Sequence, residues 1–92
     1  MQLKITNVQD LGTALRAVRK SSHVRIDDLA SFAGVSKQFM SDLEHGKETI
    51  RLGLVLKVLD EIGLHLTVDL PDEVVDRWQR LRQSQAKPQQ KD

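Results

Sequence analysis

Residues 29–47 read LASFAGVSKQFMSDLEHGK. The stretch divides into a short apolar helix ending at Ala33, a glycine at 34, and a second helix that begins behind Ser36. Gly34 suits a left-handed C-terminal cap, and Ser36 suits an N-cap whose hydroxyl accepts an otherwise free amide. Leu29, Ala30, Ala33, Val35, Met40 and Leu43 fall on one apolar seam. Ser36, Lys37, Gln38 and Ser41 are left on the outer face. Two helices joined by so short a turn, the second presenting polar side chains, form a helix-turn-helix whose second helix fits a DNA groove. No other part of the chain offers comparable chemistry.

The flanks extend the helical pattern. Val8, Leu11, Ala14, Leu15 and Val18 recur at intervals of three and four and predict an amphipathic helix to Ser21, capped by Thr6 or Asn7. Ser21-Ser22-His23 ends it, and the next helix is expected from Val24, with Asp27 and Asp28 at the positive end of its dipole. After Gly46, Thr49 or its neighbours start a fourth helix, whose apolar face is Leu52, Leu54, Val55, Val58, Leu59 and Ile62. Gly63 ends it.

Leu66, Val68 and Leu70 then alternate with His65, Thr67 and Asp69, the pattern of a half-buried strand. A lone strand forms no sheet, so it needs either the Leu3–Ile5 segment or the same strand of a second copy. Leu54, Val58 and Ile62 suit either that interface or the core. Pro71-Asp72-Glu73 opens a last helix with Val74, Val75, Trp78 and Leu81 on one face. The expected organisation is a domain over residues 1–70, an amphipathic helix over 71–83, and a disordered polar tail over 84–92.

Composition narrows the function classes. A chain of 92 residues buries a modest core that dimerisation would reinforce. It has no cysteine, which excludes disulfides and thiolate metal sites. His23, His45 and His65 lie too far apart in sequence for a paired-histidine metal motif, and no metal or cofactor is expected. No apolar run is long enough to span a membrane and no signal-peptide core is evident, so the expected compartment is the cytoplasm. No nucleophile–base pair, paired catalytic carboxylates or glycine-rich phosphate loop suggests an enzyme. Net charge is only +1, with +4 over residues 1–25, −4 over 26–70 and +1 over 71–92. Phosphate contacts must therefore come from local placement of basic residues.

GVSKQFMSDLEHGK, preceded by LASFA and followed by a helix, resembles the Xre/Cro-like helix-turn-helix regulators. NVQDLGTALRAVRKSS before it and LGLVLKVLDEIGLHLTV after it narrow the likeness to HipB-like antitoxins, over roughly residues 3–70. The resemblance implies a mainly α, lambda-repressor-like helix-turn-helix bundle with a C-terminal strand pairing across a homodimer. It further implies an autorepressor that binds inverted-repeat double-stranded DNA and holds a HipA-like serine/threonine kinase toxin inactive, whether that kinase is one chain or split. A stand-alone Cro-like regulator and an adaptor module that does not read DNA are the alternatives.

The resemblance also assigns residues. Base edges are expected to be read by Ser36, Lys37, Gln38 and Ser41, whose donors and acceptors suit purine edges. Phe39 suits either a thymine methyl or the edge of the core. Phosphate contacts fall to Arg25, Lys47 and Arg16. Family members commonly place glutamine just inside the second helix, where its amide touches phosphate; here Ile26 stands there, with Arg25 before it. Arg19 and Glu44 match a partly buried structural pair. Leu66, Val68 and Leu70 are the dimerisation residues, and Trp78 either meets the partner kinase or folds back on the dimer.

Overall fold

The computed structural model describes residues 1–86. Five helices follow one another: α1 (Val8–Ser21), α2 (Ile26–Ala33), α3 (Lys37–Glu44), α4 (Leu52–Ile62) and α5 (Asp72–Ala86). The first four enclose the core, with α1 packed on α3 and α4, and α2 packed on α3 and α4. Leu15, Leu29, Ala30, Ala33, Met40, Leu43, Val55, Val58 and Leu59 are buried there. Leu11, Val24, Val35, Phe39 and Ile62 close its edge. All the helix-turn-helix seam residues thus face inward, with Val35 half-buried.

Gly12 sets how closely α1 approaches the end of α3. A Cβ built on it would lie 2.3 Å from the Leu43 carbonyl oxygen and 2.9 Å from that of Glu44. Those oxygens are backbone atoms, which cannot swing aside, so the crossing requires glycine at this position.

Helix ends explain where the sequence expectations shift. Asn7 caps α1 by accepting from the Asp10 amide at 2.7 Å. The second helix starts at Ile26 instead of Val24. The Val24 N–H caps α1 by donating to the Arg19 carbonyl, and Arg25 is the extended N-cap of α2. The fourth helix starts at Leu52 instead of near Thr49, because residues 48–49 form a turn and Ile50 N–H donates to the Lys47 carbonyl. Gly63 ends α4 in the left-handed conformation, as expected.

The single chain departs from two expectations for the C-terminal part. Residues 64–70 run without regular secondary structure, so a single chain holds no strand here. No backbone hydrogen bond joins this segment to Leu3–Ile5 among the described residues, although both line one apolar groove over α1 with Leu11 and Val18. The physical reason is the missing ladder partner: alternation marks the faces, but a strand needs a second strand. The last helix also continues through Ala86, past the expected end at 83, because Gln, Ser and Ala offer no break before Pro88. The rest of the expected tail, residues 87–92, lies outside the described residues. Val74, Trp78 and Leu81 are exposed on α5, on which no other helix packs extensively.

Candidate nucleic-acid interface

Gly34 makes the helix-turn-helix angle. Its φ of 71° is left-handed, and its N–H donates to Ser31 while that of Val35 reaches the Ala30 carbonyl at 3.0 Å. The chain then extends through Ser36, whose Oγ accepts from the Phe39 amide at 2.9 Å. This cap fixes the first turn of α3. Lys37 and Gln38 stand there exposed, and Ser41 lies half-buried one turn on. Free amides at the start of α3 add a partial positive charge to the same edge. Phe39 is half-buried against the core.

The structure brings Arg25, Lys37 and Lys47 to one face, each beside an aspartate. Lys37 Nζ lies 3.2 Å from Asp27 Oδ1, and Arg25 lies 3.7 Å from Asp27 Oδ2. Lys47 Nζ lies 3.5 Å from Asp42 Oδ2, while Gln38 Nε2 donates to Asp42 Oδ1 at 2.9 Å. Pairs this exposed are worth roughly 0–1 kcal/mol each, so a phosphate or base edge can displace the carboxylate. The sequence reading gives Asp27 only a place at the positive end of the α2 dipole and Asp42 no role. The Gln38–Asp42 spacing of four was a legible signal, whereas the Lys37–Asp27 pair joins two helices. Arg16 is exposed on α1 and shares no ion pair or hydrogen bond with this face among the described residues.

Behind the face, Arg19 and Glu44 tie α1 to the end of α3. Arg19 Nε and Nη2 donate to the two Glu44 oxygens at 2.5 and 2.9 Å, and Nη1 donates to the Val24 carbonyl at 3.0 Å. Their side chains are only 12% and 4% exposed. Hydrogen bonding to Glu44 holds the Arg19 guanidinium above its ordinary range, with burial acting against it and the Glu44 charge reinforcing it. Among the described residues no buried side-chain nitrogen or oxygen lacks a partner. No helix there is long and apolar enough to cross a membrane.

A capped reading helix set by a glycine turn on a four-helix body defines a helix-turn-helix unit of the nucleic-acid-reading class. No protein-family profile matches the chain. It is 41% identical over 73 residues to the uncharacterized HTH-type transcriptional regulator y4mF of Sinorhizobium fredii (strain NBRC 101917 / NGR234), covering 79% of this chain and 96% of the relative. The chain therefore belongs to the HTH-type transcriptional regulators. Solved structures confirm the fold. A chain of the HipA–HipB–O2–O3 complex superposes with a TM-score of 0.70 at 22% identity, over 77% of this chain and all of the other. A HipB–O1–O2 complex gives 0.69 at 23% identity over 75% of this chain and all of the other. The clp gene regulator ClgR from C. glutamicum gives 0.59 at 27% identity over 72% of this chain and 85% of the other.

Proposed function

We propose that this protein is a dimeric, sequence-specific autorepressor that also serves as antitoxin to a HipA-like serine/threonine kinase. The observation that carries the DNA-reading half is the outer face at the start of α3, where Lys37 and Gln38 stand exposed behind the N-cap Ser36, itself exposed. Ser41 joins them as a base reader, and Arg25, Lys47 and Arg16 take phosphates. The fold shared with HipB, including its complex with HipA, supports the antitoxin half. Residues 66–70 pair with their symmetry mates, a role supported by the exposure of Leu66, Val68 and Leu70 in the single chain. The two α3 helices then enter successive major grooves of an inverted repeat, about one helical turn apart.

The test is fluorescence anisotropy on the duplex just upstream of the gene. Wild type is expected to bind tightly. Lys37→Ala/Gln38→Ala is expected to lose at least about tenfold with its melting temperature unchanged, since each base contact is worth about 1–3 kcal/mol. Co-purification with a kinase encoded next to the gene tests the antitoxin half, and its failure would leave a stand-alone regulator. A second reading, an adaptor that reads no DNA, is favoured by Ile26 at the start of α2 and by the aspartates beside Arg25, Lys37 and Lys47. A folded dimer that binds no duplex at low salt would select it.

A further inference from the structure

Asp42 stands four residues after Gln38 on α3, and its two oxygens serve different partners. Oδ1 accepts from Gln38 Nε2 at 2.9 Å, and Oδ2 lies 3.5 Å from Lys47 Nζ. Its side chain is 27% exposed, against 57% for that of Lys47, so the carboxylate is the less exposed of the pair. Only the amide nitrogen can donate to a carboxylate, so this contact fixes which end of the Gln38 carboxamide is which. A free glutamine amide turns over and offers its donor and acceptor in either order. Held by Asp42, Gln38 keeps Oε1 and its second Nε2 hydrogen in one order, and a donor beside an acceptor is what adenine N6 and N7 require.

We propose that Asp42 is a specificity-determining positioning residue, which orients the carboxamide of Gln38 for a purine edge and restrains Lys47 until a phosphate replaces it. The proposal rests on α3 being the DNA-reading helix. It has two consequences of opposite sign. A fixed negative charge on this face opposes every phosphate, whatever the sequence, and lowers non-specific affinity. The orienting contact raises discrimination at one base pair. Removing the side chain should therefore strengthen binding to unrelated DNA while weakening choice, a combination that a purely structural residue does not produce.

The experiment is selection from a duplex library randomised over both half-sites, using wild type, Gln38→Ala, Asp42→Ala and Asp42→Asn. Anisotropy on an unrelated duplex accompanies it. Alanine is the better helix former, so Asp42→Ala retains α3, and melting curves check this. Gln38→Ala marks the base position that Gln38 reads. Asp42→Ala is expected to relax choice at that same position by about tenfold, and to bind the unrelated duplex more tightly. In Asp42→Asn the side-chain amide can donate as well as accept, so it no longer dictates the order of the Gln38 carboxamide and should relax the choice in the same direction as Asp42→Ala while keeping the side chain's volume. Unchanged choice at the Gln38 position in Asp42→Ala overturns the proposal. So does a shift confined to a cytosine elsewhere, which would make Asp42 itself a base reader. A wild type that selects no sequence removes DNA reading by α3, and the proposal with it.

Discussion

Arg19 uses every arm of its guanidinium: two donors on Glu44 and one on the Val24 carbonyl. That fork joins α1, the turn before α2 and the end of α3. Truncating either partner leaves the other charge buried and unpaired, so Glu44→Ala should destabilise the fold by about 3 kcal/mol. An unchanged thermal midpoint in that variant would show that the pair holds nothing together. Arg19→Lys should recover little of the loss in the Arg19→Ala variant, because an ammonium lacks the planar fork that meets both Glu44 oxygens and the Val24 carbonyl from three separate nitrogens. The raised pKa of Arg19 adds no pH dependence in the working range. A raised group contributes fully below its unfolded pKa, which for a guanidinium lies far above neutrality, and its contribution is lost only above that, so midpoints should not move through deprotonation of Arg19 between about pH 6 and pH 9. This pair was legible in the sequence because the resemblance matched both residues. The third bond, to the Val24 carbonyl, was not, since it depends on where α1 stops and the chain turns back.

At the scale of elements, local signals located all five helices and a cap for four of them, because Asn7, Gly34, Ser36 and Gly63 act on their own neighbours. They failed where an end is decided by another part of the chain. Val24 looked like a helix start, yet its amide is spent on capping α1. Residues 64–70 looked like a strand, yet alternation supplies no partner. Gly12 gives no signal in the sequence, and only the crossing with α3 gives it a purpose. Gly12→Ala should therefore lower stability by about 1–3 kcal/mol through overpacking, although alanine favours an isolated helix. A rise in melting temperature would show that the crossing relaxes freely. The exposed stripe of α5 makes a separate prediction. Trp78 is the single tryptophan and is 46% exposed, with Arg82 stacked over its ring at 5.2 Å. Intrinsic fluorescence should thus be that of a hydrated indole in dilute protein and should shift to the blue when a partner covers α5. Trp78→Ala should leave the midpoint of the four-helix body within about 0.5 kcal/mol, and a larger loss would place α5 in the core's cooperative unit.

For the whole molecule, the decisive quantities are a small core and a nearly neutral charge. The basic residues of the reading face each sit beside a carboxylate, so long-range attraction contributes little, and the proposed dimer would supply affinity by doubling the face. Val68 is the test position: it is 84% exposed, lies on the same alternating face as Leu66 and Leu70, and supports nothing in the single chain. Val68→Asp should abolish pairing by setting two like charges near the symmetry axis, without disturbing the core. Light scattering should then report a monomer where wild type is a dimer, and the melting temperature should lose its dependence on protein concentration. The salt response should change with it. If Arg16, Arg25 and Lys47 each meet one phosphate, two copies neutralise about six, and affinity should fall about 10³-fold between about 50 and 200 mM salt. A monomer meeting about three should lose only about 40-fold over the same range. Equal salt slopes for wild type and Val68→Asp would mean that one copy makes all the phosphate contacts, and that residues 66–70 do not set the spacing of the reading helices.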